Sequence, residues 1–227
     1  MALSDLEILK EKKAGHIVIV PFDEKHLSTS SYDVTLGEYF FREKKRDPHK
    51  RFYHIWNKQD TDEVWGTQAD RAPMARDLFK NPADHGMSNA DRVILIEPGE
   101  TILAHTQEYI GGRDTITTMM KARSSLGRNF IEVCKCAGWG DVGYTNRWTM
   151  EITNNSRHYV IPLIVGRRIA QIVFFRVGPI RAKDYTKAGK YQSSPSIGQL
   201  KKEWKPTMML PKLYKDKALS CKKKVSI

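Results

Sequence analysis

The sequence predicts an all-β protein, built as a distorted barrel or jelly roll, with one short helix at its N-terminus. Short apolar runs rich in Val, Ile, Thr and aromatic residues recur along most of the chain, and turn residues separate them. Closely spaced short strands of this kind are typical of antiparallel barrels and sandwiches. With 227 residues and 40% hydrophobic content, the chain suits one domain that folds without disulfide bonds.

The expected elements follow the chain in order. The first fifteen residues predict the helix, because Ser4 and Asp5 are suitable N-caps and Gly15 is a typical stop. A β-rich run at 16–20 comes next. The other predicted strands are 31–37, two strands within 93–104 that turn at Pro98-Gly99, then 115–120, 130–135, 148–153, 159–164 and 169–176.

Two parts of the chain lack this pattern. Residues 42–92 are rich in charged, histidine and aromatic residues, and they predict an insertion within a β-barrel domain that spans residues 1–198. The aromatic and basic residues of the insertion could bind single-stranded nucleic acid. They could equally form a small cluster packed over the barrel, which is the favoured interpretation. Residues 199–227 form a basic C-terminal tail.

The formal net charge of +12 narrows the classes of partner. Such an excess suits nucleic acid, an anionic membrane surface or a phosphorylated small molecule. Much of the charge lies in the runs 42–51 and 201–223, and basic runs are usually solvated surface. A membrane partner is not expected, because no apolar run is long enough to span a bilayer and no signal peptide is recognisable.

The cysteines argue against disulfide bonds and against zinc. Cys134, Cys136 and Cys221 form no disulfide framework, which favours a reducing cytoplasm. Cys134 and Cys136 are predicted to alternate along one strand and to face opposite ways, a poor arrangement for one metal ion. The chain also lacks the His-x-Glu and Pro-Cys-x-x-Cys strings of zinc-dependent nucleobase deaminases. We therefore expect no protein-bound metal site.

Three short motifs place polar and charged side chains around turns between apolar runs. They are ARSSLGR at 122–128, AGWGDVGY at 137–144 and TMEI at 149–152. Arginine forks, serine hydroxyls and turn amides are suited to phosphate oxygens. A partly buried strand carboxylate has a raised pKa, so it can exchange protons with a water near neutral pH. Together the motifs can hold a polyanion and activate a water.

These motifs, in this order, resemble the core of the dCTP deaminase family within the trimeric dUTPase-like superfamily. The opening of the chain, with IVIVPF at 17–22 and SYDVTLG at 31–37, is similar to that family as well. So are GRRIAQIVF at 166–174 and YTKAGKYQ at 185–192, the latter like the family's C-terminal lid. The resemblance covers 1–41 and 93–198, and it implies a dUTPase-like barrel. The 137–144 motif is most similar to bifunctional members, which deaminate dCTP and also release diphosphate to give dUMP.

The resemblance implies roles for individual residues. Glu151 takes the position of the general acid/base, and Ser124 and Arg128 complete the deamination site. Asp141 holds the deoxyribose 3′-hydroxyl or positions a water, and Tyr144 stacks under the sugar. The other implied nucleotide-binding residues are Arg123 and Ser125 on the phosphates, Ala137, Gln171 between subunits, and Tyr185, Lys190 and Gln192 in the lid.

Some positions have a different interpretation or depart from the family. Tyr32 and Asp33 are predicted to fix a turn and pack the barrel, with the carboxylate satisfying backbone donors. Gly140 stands where relatives usually have a bulky apolar residue. SSPSIG at 193–198 replaces the glycine-rich, proline-containing end of the lid. These departures concern the pocket wall and the phosphate contacts of the lid.

We predict a homotrimeric hydrolase of pyrimidine deoxynucleotide metabolism that converts dCTP to dUTP and ammonia without zinc. Mg²⁺ would arrive on the triphosphate, and dTTP is the inhibitor that the resemblance suggests. One alternative is a bifunctional enzyme that forms dUMP, and another is a dUTP diphosphatase, which does not need Glu151. A non-catalytic trimer that binds nucleic acid or has a regulatory role ranks last, because it would have no need of Ser124, Arg128 and Glu151 together.

Overall fold

The computed structural model describes residues 1–45, 47–181, 185, 189–192, 194 and 196–216. Antiparallel strands dominate it, and the helices are short. The strands are β1 (Ile17–Val20), β2 (Leu27–Ser28), β3 (Ser31–Arg42), β4 (Asp70–Arg71), β5 (Val93–Ile96), β6 (Thr101–Gly112), β7 (Ile116–Ala122), β8 (Ile131–Val133), β9 (Trp139–Gly140), β10 (Thr145–Asn154), β11 (Ile161–Ile164) and β12 (Arg168–Arg176). The predicted all-β fold with a short N-terminal helix is confirmed.

The helices within the described ranges are too short and polar for any of them to cross a membrane. They are α1 (Asp5–Ala14), α2 (Lys58–Trp65), α3 (Ala75–Leu78), α4 (Ser124–Gly127) and α5 (Ile197–Glu203). Turns of 3₁₀ helix lie at Glu24–His26, Pro82–His85, Pro206–Met209 and Leu213–Lys215.

Most strands belong to one sheet, and β6 lies near its centre. The hydrogen-bonded order is β8-β10-β6-β3-β12-β7-β9, with β1 also on β6 and both β2 and β4 also on β3. Strands β5 and β11 pair separately. The core is the inner surface of these strands, where alternate side chains such as Ile102, Ala104, Met150 and Ile152 are fully buried.

Helix α1 begins and ends as its sequence predicts. The Ser4 side chain accepts a hydrogen bond from the Glu7 amide, and the Glu7 carboxylate accepts one from the Ser4 amide at 2.9 Å. This reciprocal capping box satisfies two amides that the helix leaves unpaired. Gly15 ends the helix in the left-handed conformation, with φ at 87°. Ile8 is fully buried and anchors the helix to the barrel.

The strand predicted at 130–135 is shorter than expected, and the prediction that its two cysteines alternate along one strand is wrong, although Cys134 is buried and Cys136 exposed. Strand β8 ends at Val133, and Cys134 and Lys135 then adopt positive φ values of 63° and 38°. The Cys134 amide donates to the Glu151 carbonyl, and the Ala137 amide donates to the Cys134 carbonyl at 2.7 Å. The chain therefore turns here, so that the two cysteines lie in a turn and do not alternate along one strand.

The insertion contains α2, β4 and α3 and leaves the sheet where β3 ends. The aromatic cluster predicted over the barrel is wrong for Phe52 and Trp56, which are 64% and 67% exposed. Trp65, at the end of α2, does pack on barrel and C-terminal residues. The sequence could not show this contact, because its partners lie far away in the chain. The predicted division at residue 198 falls inside α5 and stays a prediction.

Candidate active site

A cavity of about 390 Å³ opens beside β10. It brings together Ala137, Asp141, Tyr144, Glu151 and Tyr185, which are all predicted site residues. The other lining residues in the described part of the chain are Leu103, Trp139, Gly140, Trp148, Thr149, Tyr191, Met209 and Pro211. One carboxylate at the wall and one at the entrance, among aromatic rings, form a site suited to a small polar ring compound.

Glu151 reaches the cavity because of its position in β10. Its neighbours Met150 and Ile152 are fully buried in the core, so the alternation of the strand turns Glu151 and Thr149 to the other face. Burial raises the pKa of the Glu151 carboxyl. Its own backbone amide and the charge of Lys135 lower the pKa by a smaller amount. A carboxyl with a raised pKa holds a proton more readily than a free one, which favours proton exchange with a bound water.

An aromatic wall closes one side of the cavity. The Tyr144 ring lies edge-on to Trp148 at 5.2 Å and to Tyr185 at 5.0 Å between centroids. Burial raises the pKa of Tyr144, so its phenol stays neutral. The indole nitrogen of Trp148 donates to the Ile110 carbonyl at 2.9 Å, which fixes the ring. The wall therefore presents aromatic ring faces to the cavity, and the Trp148 indole N–H has its hydrogen-bond partner in the barrel.

Gly140 fits this wall for a steric reason. A Cβ at position 140 would lie 2.3 Å from the Thr118 hydroxyl oxygen and 2.4 Å from the Trp148 ring. The Trp148 ring thus fills the space that a side chain at 140 would take. Gly140 replaces the bulky residue that is usual in relatives, and the Trp148 ring makes up for the missing side-chain volume.

Residues 190–192 lie against the start of β10, next to the cavity. The Gln192 side-chain oxygen accepts from the Thr145 amide at 2.7 Å, and the Asn146 amide group donates to the Tyr191 carbonyl at 2.8 Å. The Lys190 ammonium pairs with Asp216, so its positive charge is matched within the chain, and its nucleotide contact stays a prediction. In the departing stretch 193–198, residues 193 and 195 lie outside the described residues.

The serine and arginine motif lies apart from this cavity. Ser124 and Ser125 begin the single turn of α4, and Arg128 follows it. All three are exposed. Neither they nor Arg123 belong to the described residues that line the cavity. Within one chain, the predicted site residues therefore form two groups.

Asp33 lies between two arginines, of which Arg123 is a predicted site residue. Its carboxylate lies 3.3 Å from the Arg123 guanidinium and 3.2 Å from that of Arg168. Gln171 is the cross-strand partner of Asp33 on β3 and of Lys121 on β7. The pairing of β12 with β3 brings Arg168 to the Asp33 carboxylate, and the predicted hydrogen bonds from backbone donors to this carboxylate stay a prediction. Two guanidiniums against one carboxylate leave a net positive charge here.

Several lining residues were not predicted from the sequence. Leu103 lies directly across from Glu151 on β6. The alternation of side chains along β6 could have predicted that Leu103 faces away from the core centre. Tyr191 lies within the lid motif, next to two predicted residues. Met209 and Pro211 come from the tail, where no local pattern points to the cavity. Their contribution depends on how the tail folds back.

Within the described ranges, no group of three or more His, Cys, Asp or Glu side chains is placed to hold a metal ion. A metal-free deamination therefore stays a prediction.

Comparison with known proteins identifies the family. The family model described as dCTP deaminase-like matches residues 2–177, and the chain belongs to this family. The predicted membership is thus confirmed.

Curated relatives share about a third of their residues with the chain. A protein named dCTP deaminase, dUMP-forming, from Hydrogenobaculum is 34% identical over 182 residues, which cover 79% of this chain and 85% of the relative. One of the same name from Acidothermus cellulolyticus is 33% identical over 176 residues, with 78% and 80% covered.

A solved structure supports the fold. The 2′-deoxycytidine 5′-triphosphate deaminase of Agrobacterium tumefaciens superposes with a TM-score of 0.52 at 18% identity. The match covers 78% of this chain and 48% of that structure's chain, so the chain spans about half its length. At this identity the likeness concerns the fold alone.

Gly140→Ala is expected to displace the Trp148 ring and to cost about 1–3 kcal/mol of unfolding free energy, as overpacking usually does. Urea denaturation measures the loss. Trp148→Phe makes room, so the double variant should lose less than the sum of the two single losses. Strictly additive losses in the double-mutant cycle would contradict the steric explanation.

Glu151→Gln is expected to raise the melting temperature at pH 8 and to change it little at pH 4. Burial raises the pKa of Glu151 in the folded protein, so the folded state loses stability as pH rises through the unfolded and then the folded pKa. Glutamine removes that loss. Thermal melts at both pH values test this, with the exposed Glu97→Gln as the control. A gain equal at both pH values would contradict it.

Proposed function

We propose that this protein hydrolyses dCTP to dUMP, with release of ammonia and diphosphate. One observation carries the proposal: a single cavity joins a partly buried Glu151 of raised pKa to Asp141 and Tyr144. The sequence resemblance assigns those positions to proton transfer and to the deoxyribose. The relatives named dUMP-forming support the bifunctional alternative better than our first prediction, a deaminase that releases dUTP.

The deamination needs one proton carrier beside C4 of the cytosine ring. A water adds to C4 while the Glu151 carboxylate takes its proton. Glu151 passes this proton to N3, which has received the electron pair of the C4–N3 double bond. The same carboxylate then carries the proton of the new C4 hydroxyl to the exocyclic amine, which leaves as ammonia while the C4 carbonyl forms. The burial that raises the pKa of Glu151 suits both halves of this transfer, because the group must accept and donate in turn.

The rest of the cavity suits a deoxynucleotide. Tyr144 offers a neutral ring face, and Asp141 is exposed at the cavity edge, where it can bond a 3′-hydroxyl or a water. A second water and loss of diphosphate complete the conversion of dCTP to dUMP. Mg²⁺ belongs to the substrate complex, since it travels on the triphosphate.

The phosphates require the arginine group, which we assign to a neighbouring copy in a homotrimer. Ser124, Ser125 and Arg128 are exposed in one chain, and near the cavity Trp139 is 57% exposed. Surfaces of this kind are typical of contacts between copies. A closed symmetric ring of three copies would set the arginine turn of one copy against the cavity of the next.

Product analysis tests the reaction directly. Purified protein with Mg²⁺ and dCTP is expected to release ammonia and dUMP with little free dUTP. Chromatography measures the nucleotide products. Glu151→Gln should lower ammonia release by at least about a hundredfold, as loss of a general acid/base does. It should leave hydrolysis of added dUTP largely intact, and dTTP in the same assay tests the predicted inhibition. Free dUTP as the end product would favour the monofunctional deaminase, and turnover of dUTP alone would favour the diphosphatase.

Subunit mixing tests the shared site. Glu151→Gln and Arg128→Ala are each expected to be inactive. Co-refolded in equal amounts, they should regain about a quarter of the unmodified activity, because one interface in four then has both native residues. A mixture of Glu151→Gln with Glu151→Ala is the matched control and should stay inactive. No recovery in the test mixture would place the whole site within one chain.

A further inference from the structure

The C-terminal segment, residues 197–216, is built into the barrel although it lies beyond the matched family region. Leu200 on α5 is 1% exposed. The Trp204 ring lies 4.6 Å from the His105 ring and 4.6 Å from the Arg147 guanidinium carbon. The two ring planes are tilted by 52°, and this aromatic contact together with the cation–π contact fixes the path of the chain. The predicted basic tail is therefore, at least as far as Asp216, a packed structural element.

This segment carries Met209 into the wall of the cavity beside Glu151. Met209 is 4% exposed and packs in one cluster with Phe41 and Leu103. Leu103 is the cross-strand partner of Glu151, so their side chains are neighbours on one face of the sheet. Met209 thus borders the position of the reacting carboxyl through one shared neighbour.

Pro211 extends the same wall and is held from its other side. The next residue, Lys212, donates from its amide to the Tyr191 hydroxyl at 3.1 Å and from its ammonium to the Lys190 carbonyl at 3.2 Å. The ammonium also lies 4.9 Å above the Tyr191 ring. The wall is therefore tied to the lid residues as well as to the barrel.

The chemistry of this wall fits one edge of a pyrimidine ring. With C4 beside Glu151, one flank of the ring offers N3 and O2, which accept hydrogen bonds. The other flank offers C5 and C6, which are apolar. The side chains of Leu103, Met209 and Pro211 supply no hydrogen-bond donor, so the N3 and O2 flank would lose its partners against them. The C5 flank has no hydrogen-bonding group, so it loses no hydrogen bond against these side chains.

We propose that Met209 and Pro211 contact C5 of the bound pyrimidine and select cytosine nucleotides with hydrogen at C5 over those with an alkyl group there. This inference rests on the proposed deamination and deepens it. It places a determinant of substrate choice in a segment outside the region that the family shares.

The test compares kcat/KM for dCTP and for 5-methyl-dCTP, measured as ammonia release by the full chain with Mg²⁺. The unmodified protein should prefer dCTP. Met209→Ala should shift the ratio toward 5-methyl-dCTP by about tenfold or more, the usual effect of room for one methyl group in an apolar pocket. Pro211→Ala should shift it in the same direction. Met87→Ala removes a similarly buried methionine from a separate cluster and should leave the ratio unchanged.

Each outcome decides between the two proposals. If the unmodified protein deaminates dCTP but Met209→Ala and Pro211→Ala leave the ratio unchanged, the inference is wrong and the proposed function stands. Equal use of both nucleotides by the unmodified protein also overturns the inference.

No ammonia from either nucleotide overturns the proposed function and the inference with it. Thermal melts check folding, and Pro211→Ala, outside the buried cluster, carries the test should Met209→Ala fail to fold.

Discussion

The pairing of β10 with β6 is the constraint on which the site depends. In this register Glu151 lies opposite Leu103, and the sheet face that carries both forms the wall of the cavity. A bulge in the pairing is fixed by the Trp148 amide, which donates to the Thr106 hydroxyl at 2.9 Å. A slip by one residue would turn Glu151 into the core and send Met150 toward the cavity. The fully buried neighbours of Glu151 make such a slip costly, so core packing positions the Glu151 carboxyl.

The fold keeps the Glu151 carboxyl and the arginine motif apart within one chain. A guanidinium close to Glu151 would lower the pKa that burial raises. Arg123 and Arg168 instead face Asp33, whose carboxylate is 9% exposed. Their excess positive charge suits an anionic ligand, and the cavity suits a neutral ring. A nucleotide carries both parts, which explains why the proposed site requires a second copy.

The insertion and the C-terminal segment support each other. Trp65 from the insertion packs on the cluster of Phe41, Leu103, Met209 and Leu210, so one apolar contact joins both segments to the barrel. A 3₁₀ turn at Pro206–Met209 sets the spacing between the anchors in the segment. Neither segment has a regular hydrophobic period, because each buries a few scattered side chains and not a continuous stripe. Their position could therefore not be predicted from the sequence, although the C-terminal segment lines the cavity with Met209 and Pro211.

The sequence by itself determined the features that depend on neighbours in the chain. The capping box of Ser4, the alternation that faces Glu151 away from the core, and the order of the motifs all follow from local spacing. Only the tertiary structure decided which distant groups meet. Asp33 and Arg168 pair across 135 positions, and Met209 reaches the cavity through a segment with no local signal. Such contacts depend on strand order and on how the tail folds back. A single sequence does not show which residues distant in the chain lie close together in the fold.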